Sequence, residues 1–438
     1  MKNNHIDFNK LSDFHTNLYK NIYKNSFKEF NNFIEELLDL NKKIDLLICH
    51  PLFSRNNYLS LFYEDFCLLK LVINSYKEDE KITIKLSNYR QLLLFKSYFK
   101  KKNNIIFDYP PSNTLKIFFR QLIVFSKMFI FLFYMKIIGF FISINKNKNI
   151  NLITINLIES MFSNNKFKDR YYNGIEDELE KKEYFFYPIF LIKKNIFKKI
   201  KIINESKYKI IFTYKYINIF DILKIQFYFL NFLNINFKCN KLYFKDYLQY
   251  YFRENLIDSN TYLSFINYYS IKNLHRSSFT INNTIIWYEN QPLEKGLVFS
   301  LNKFYPNCTI KGYKSYFVDN NFHFYIRPTN YEYFNNYVPK LVSTVSYYDQ
   351  KDLNKYCKSI KILAGPLLRF NYLNKIKTFT KPNNYKLLVS LPIHLDESIS
   401  ILKLINKFAK IESKYNFFVK PHPFLNLDKI TNYISNSN

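Results

Sequence analysis

Two short stretches carry side chains whose types and spacing suit chemistry. In Phe417-Phe418-Val419-Lys420-Pro421-His422-Pro423, an apolar β run delivers Lys420 and His422 to the carboxyl end of a strand, where open α/β sheets bind ligands. Proline fixes its own φ and biases the preceding residue to extended backbone, so His422, braced by Pro421 and Pro423, has no competing helical state. A braced imidazole beside an ammonium suits a phosphate, because His422, when protonated, and Lys420 together offset the charge of a departing phosphate. The same residues also read as a strand-ending turn with a solvated histidine, and His50-Pro51 follows another apolar stretch. The second stretch is Trp287-Tyr288-Glu289-Asn290-Gln291-Pro292-Leu293-Glu294-Lys295-Gly296, a buried strand that ends in polar groups where a helix begins, with Pro292 in its first turn. Glu289 at the strand tip could accept a proton from a hydroxyl, and Asn290 and Gln291 could bond hydroxyls. In the other reading Glu289 and Asn290 cap the helix, and Glu294 and Lys295 form an exposed face.

The elements that position these residues alternate between strand and helix. Residues 1–45 read as helices with charged faces, and 44–52 (IDLLICHPL) as a short strand. Residues 81–87 and 104–108 read as strands around a helix carrying RQLLLFKSYF. Further strands follow at 151–157, in YFFYPIFL, at 207–216 (KYKIIFTYKY), at 284–289 and at 309–315, with helices in IFDILKIQFYFLNFL and QPLEKGLVFSLNKFYPN. A boundary is expected over Arg327–Pro339, after which strands at 341–346, 361–365, 385–392 and 415–420 alternate with helices. Tight β-α-β connections of this kind build parallel sheets with helices on both faces. The reading is therefore an amino-terminal domain over 1–326 and a carboxyl-terminal domain over 340–438, the latter short for a doubly wound domain and read as truncated.

Composition bounds the function. The 438 residues suffice for two or three domains, and 48% hydrophobic with 20% aromatic residues excludes global disorder. Five glycines leave P-loops and GxGxxG turns almost without raw material. A net charge of +29 attracts polyanions, although Lys, Asn, Ile, Phe and Tyr share A/T-rich codons, which accounts for part of it. Cys49, Cys67, Cys239, Cys308 and Cys357 show neither metal-ligand spacing nor a disulfide framework, so no metal is expected. The polar amino terminus lacks a signal peptide, which places the chain in the cytoplasm. Leu122–Ile144 is long enough to span a bilayer, yet Lys127 and Lys136 inside it would each cost about 2.5–3.5 kcal/mol at the centre. An insertion over 116–148 lying in the membrane interface, flanked by Lys116, Arg120, Lys146 and Lys148, fits better; a buried core helix and a spanning helix are the other readings.

Glu289 to Gly296, followed by Tyr305-Pro306-Asn307 and a strand ending Ile310-Lys311-Gly312-Tyr313, resembles the Tyr-Glu-x-Gln-x-x-Glu-(Lys/Arg) run of bacterial surface-carbohydrate biosynthesis glycosyltransferases. Ala364-Gly365-Pro366-Leu367-Leu368-Arg369-Phe370 is similar to their Gly-Ser-x-Arg turn, and Leu388-Val389-Ser390-Leu391-Pro392 with Asp396-Glu397-Ser398 to a further element of theirs. Lys420-Pro421-His422-Pro423 resembles their Lys-Pro-His-Pro motif, which is also similar to the His-Pro motif of sialyltransferases and Kdo transferases and to a region of polyglycerol-phosphate transferases. Upstream, Asp169-Arg170-Tyr171-Tyr172 is similar to an acidic-basic-aromatic acceptor loop.

The resemblance implies a GT-B fold, two Rossmann-like domains facing across a cleft, and a metal-independent transferase without a cofactor. It implies that Lys420, His422, Pro423, Arg369, Gly365 and Ser390 bind a nucleotide-sugar donor, CMP-linked among the options. Asn290, Gln291, Glu294, Asp169, Arg170 and Tyr171 would meet the acceptor, with Glu289 and His422 catalytic. The acceptor class is a surface polysaccharide or lipid-linked glycan, such as capsule or O-antigen, at the inner face of the cytoplasmic membrane. Lys314-Ser315 stands where the family has Gln-His, and the family's serine-rich acidic element is missing after the His-Pro motif. Rival readings are a glycerophosphotransferase-like polymer synthase, an inactive scaffold, and a basic nucleic-acid-binding protein. The lysines are spread along the chain and not gathered beside aromatics, so no nucleic-acid partner is expected.

Overall fold

The structure, a computed structural model, describes residues 4–56, 59–77, 80–142, 147–172, 175, 184–190, 195–206, 209–238, 242–315, 326–366, 368–369, 385–392, 394–412, 414–422, 425 and 427–435. The fold is α/β with parallel sheets, and the chain divides into two compact units. One holds Met1–Leu157 and Asn165–Arg369, the other Ile158–Asn164 and Phe370–Asn438.

The first unit begins with a three-stranded sheet in the order β1 (Asn4–Asp7), β2 (Ile82–Lys85), β3 (Ile105–Asp108), all parallel. Helices α1 (Asp13–Asn25), α2 (Phe27–Leu40) and α3 (Phe62–Ser75) separate β1 from β2, and α4 (Tyr89–Tyr98) separates β2 from β3. Helix α2 buries Phe30, Phe33, Ile34, Leu37 and Leu38, the spacing of a single apolar helix face. Residues 44–52, expected as a strand, instead turn through a 3-10 helix at Leu47–Cys49. Leu46 adopts a left-handed φ of 63°, which ends any extended run there.

Helix α5 (Thr114–Phe140) carries the chain from this sheet to a second one, so the basic apolar segment joins two sheets. Its buried side is Met128, Leu132, Met135 and Gly139; a Cβ on Gly139 would stand 3.0 Å from the Lys215 backbone.

The second sheet is parallel, with strand order β11-β10-β9-β8-β4-β7. Its strands are β4 (Asn149–Leu157), β7 (Tyr184–Phe190), β8 (Thr280–Trp287), β9 (Thr309–Lys314), β10 (Leu341–Thr344) and β11 (Lys361–Ala364); the two-residue strands β5 (Phe162–Ser163) and β6 (Lys166–Phe167) fall between β4 and β7 in the chain. Central β4 is buried along most of its length, as a strand covered by helices on both faces must be. Helices α6 (Ile196–Asn204), α7 (Ile219–Gln226), α8 (Lys245–Glu254) and α9 (Ser259–Arg276) lie between β7 and β8, and α10 (Pro292–Phe304) between β8 and β9. Helices α11 (Asn330–Phe334) and α12 (Tyr347–Tyr356) follow β9 and β10 in turn. A core of Ile150, Leu152, Phe185, Ile271, Leu274, Leu297 and Leu301 joins α9 and α10 to the sheet. The strand expected at 207–216 is reduced to a single bridge, Phe186 to Ile210, before a 3-10 turn at Thr213–Lys215.

The boundary expected over Arg327–Pro339 is a connection within this sheet. Strand β10 pairs with β9 from Leu341 opposite Lys311 to Thr344 opposite Lys314, so residues 341–364 continue the first unit, and the division falls between Arg369 and Phe370. The second unit pairs β12 (Tyr385–Ser390) with β13 (Tyr415–Lys420) in parallel, with helices α13 (Leu395–Ile411) and α14 (Leu427–Ser435). Leu391, Leu402, Leu425 and Ile430 form its core.

Candidate functional site

From β4 the chain runs out to β7 and returns to β8 on the other side of β4. The strand order reverses between β4 and β8, and the crevice beyond the carboxyl ends of such strands is where parallel α/β sheets take ligands. The second sequence stretch emerges there. Trp287, the chain's single tryptophan, ends β8, and its backbone N–H donates to Thr154 Oγ1 of β4 at 3.0 Å, tying the two strands at the reversal. Its indole Nε1–H donates to Glu289 Oε1 at 2.7 Å. Tyr171 packs edge-on against the indole with ring centroids 4.4 Å apart, and the Arg369 guanidinium lies 5.9 Å from the same ring.

Glu289 is half-buried, and burial pushes its carboxyl above the usual range. The hydrogen bonds from Trp287 and Gln291 and the charge of Arg369 oppose that rise. The Tyr171 hydroxyl is pushed up to about 12, by burial first and by the Glu289 charge second. The turn carrying Arg369 is clamped by Tyr313 of β9, whose hydroxyl donates to the Pro366 carbonyl at 2.9 Å and accepts the Leu368 N–H at 2.8 Å. A carboxylate raised toward neutrality, an aromatic wall and a guanidinium thus meet at one sheet edge, a set able to take a proton and hold an anion.

Several sequence-expected acceptor groups are engaged in holding this turn. Glu294 is buried, and its Oε2 accepts the N–H groups of Glu289 at 2.8 Å and Gln291 at 3.3 Å, so it is a capping group and not an acceptor contact. Asn290 is buried with φ 55°, and its amide donates to Glu332 Oε2 at 3.4 Å, facing inward. Gln291 Oε1 accepts the Asn56 amide at 2.6 Å. Asp169 is buried and accepts the N–H groups of Tyr171 and Tyr172, both at 2.9 Å, which shapes the loop. Arg170 and Tyr171 of that loop remain half-buried. Lys295, read as part of an exposed face, is fully buried and pairs with Glu332 Oε1 at 2.6 Å, while Arg55 pairs with Glu332 Oε2 at 2.7 Å. Burial opposes ionisation of Glu332, yet these two cations hold its carboxyl down at about 2. Gly365 is explained by packing, because a Cβ there would stand 1.6 Å from Ser343 Oγ. Lys314, at the position of the family's glutamine, is buried against Asp349 at 3.1 Å.

In the second unit, Ser390 and Lys420 are register partners at the carboxyl ends of β12 and β13, and both are exposed. His422 follows half-buried, and its carbonyl accepts the Leu425 N–H at 2.9 Å. Partial burial lowers the His422 imidazole below its ordinary value, which disfavours its cationic form. Pro423 lies outside the described residues. His50, in the other His-Pro pair, is buried, its Nε2 meets the Asn255 carbonyl at 3.0 Å, and burial takes it down to about 3.

Neither Trp287 nor Tyr313 carried a role in the sequence pattern; the lone tryptophan two residues before Glu289 was the available signal. Among the described residues no group of three or more His, Cys, Asp or Glu could hold a metal ion. Compared with models of known families, with curated proteins and with solved structures, the chain matches none.

Proposed function

We propose that the chain is a glycosyltransferase that moves a sugar from a nucleotide-activated donor to a surface polysaccharide or lipid-linked glycan, its two units forming the halves of a GT-B enzyme. The observation that carries this reading is Glu289, with a raised carboxyl at the strand-order reversal, hydrogen-bonded by Trp287 and near Arg369. The resemblance of the Glu289, Arg369, Ser390 and His422 segments to surface-carbohydrate glycosyltransferases supplies the substrate class.

In the reaction the acceptor oxygen bonds to the anomeric carbon as the bond from that carbon to the phosphate oxygen breaks. The acceptor proton passes to the Glu289 carboxylate, and the bonding pair leaves with the phosphate. Lys420 offsets its charge, and His422 donates a hydrogen bond. We place the enzyme on the inner face of the cytoplasmic membrane through α5. Its exposed Leu115, Phe118, Phe119, Leu122, Ile123, Ile130, Phe133, Ile137 and Phe140 fall on one stripe. Lys116, Arg120 and Lys127 line one edge of that stripe, about 100–140° round the helix from Leu115. Lys136 lies at the opposite edge of the stripe, in line with Phe118, and its ammonium donates to the Lys215 carbonyl at 2.7 Å.

The test is nucleotide release from a panel of nucleotide sugars by the full chain with glycan or lipid-linked acceptors. Glu289→Gln is expected to lower turnover by about 10²–10⁴ while changing donor affinity little. Turnover by the variant equal to that of the parent would remove Glu289 from the reaction.

A further inference from the structure

A cleft of about 400 Å³ opens at the carboxyl ends of β2 and β3, between the starts of α4 and α5. Three cationic side chains line it, Arg90 from α4 and Lys116 and Arg120 one turn apart on α5, against one carboxylate, Glu254. Arg90 is fixed from behind, its Nε paired with Asp65 at 2.7 Å and one terminal nitrogen with Glu254 at 3.0 Å. The Arg120 guanidinium donates to the Glu254 carbonyl at 2.7 Å, and Lys116 makes no ion pair among the described residues. The cleft therefore keeps a net positive charge. Asn88 and Asn113, which cap α4 and α5 by accepting the Gln91 and Lys116 N–H groups, stand on its rim, so both helix dipoles add to that charge.

The same helix that supplies Lys116 and Arg120 presents Leu115, Phe118, Phe119 and Leu122 at 74%, 60%, 58% and 48% exposure. Cationic cleft and apolar stripe thus begin within one turn of each other. A ligand matching both is amphiphilic, with a phosphate at one end and a hydrocarbon chain at the other.

We propose that this cleft holds the phosphate of a membrane lipid, a phosphomonoester or diphosphate whose chains lie along the exposed stripe of α5. The assignment rests on the reading of α5 as a membrane-surface helix and adds a headgroup preference to it. Arg90 is already held by Asp65 and Glu254; Lys116 and Arg120, the two lining cations without an ion pair among the described residues, suit a terminal phosphate carrying more than one charge better than a phosphodiester carrying one.

The experiment measures partitioning of the full chain onto phosphatidylcholine vesicles containing phosphatidic acid, or containing phosphatidylserine at matched surface potential. The chain should favour phosphatidic acid, and the exposed-residue variant Lys116→Ala/Arg120→Ala should bind those vesicles about 30-fold more weakly and lose the preference. Lys127→Ala, on the same edge but outside the cleft, should weaken both compositions equally. Equal binding to the two anionic vesicles, or a preference that survives in the double variant, overturns the proposal. Competition by inorganic pyrophosphate without any lipid preference assigns the cleft to a soluble phosphate and overturns the lipid. Phe118→Ser/Ile123→Ser reports separately on the helix, because it should weaken binding to every composition. A parent chain that binds no vesicle removes the membrane reading itself.

Discussion

Glu289 sits among three groups that favour its charge, and burial still wins. Because a general base works ionised, turnover should be lost as pH falls through its raised pKa, so the acid limb lies above the ordinary carboxylate range. Trp287→Phe removes a hydrogen bond that favours the anion, so it should move that limb to still higher pH; a limb that stays in place would mean that another group titrates. The same shift has a stability consequence of opposite sign. A carboxyl whose folded pKa is raised costs stability once pH exceeds its unfolded value, so Glu289→Gln should raise Tm at neutral pH while lowering turnover. A lower Tm would show that the ionised group is held for structure. At this scale the sequence displayed the chemistry but not who was occupied. The capping role of Glu294 was not among the readings, which gave the cap to Glu289 and Asn290 and an exposed face to Glu294, although a Gln-x-x-Glu spacing is a capping-box signal. The burial of Lys295 was not legible either, because its partner Glu332 comes from a segment far along the chain, as does Arg55, 277 residues from Glu332.

At the scale of elements, strands were legible: β9, β10, β12 and β13 fall within the stretches read as strands, while β4 and β8 begin two and four residues before theirs. Two apolar runs misled. Residues 46–52 and 211–214 are buried, which an apolar run records equally for a strand or a packed turn. The sequence likewise could not show that β10 finds β9, since register depends on partners and not on the strand alone. Packing of α10 on α9 depends on Gly296, where a Cβ would meet Ser264 side-chain and backbone atoms at 2.7 Å. Gly296→Ala gains helix propensity, but the clash with backbone should dominate and lower unfolding free energy by about 1–3 kcal/mol in denaturant titrations. Unchanged or higher stability would mean that the two helices are not held this close.

For the whole molecule, α/β class and parallel strands followed from the alternation of elements, whereas the allocation of residues to units did not. Lys420, His422 and Ser390 gather at one strand end of the second unit, and Glu289, Tyr171 and Arg369 at one sheet edge of the first. Under the proposed function, the groups suited to a phosphate at the end of β13 and the carboxyl suited to a proton at the end of β8 belong to separate compact units. The net charge of +29 attracts anions in general. The claim that an activated nucleotide donor is held at the His422 turn is tested most directly by calorimetric titration of the full chain with CMP, CDP, UDP and GDP, beside His422→Ala and Lys420→Ala. The account predicts that one nucleotide binds selectively and that each variant weakens it about 10-fold to 100-fold, the loss of one hydrogen bond to a charged group. Absence of binding to all four, or binding that neither variant changes, would contradict it.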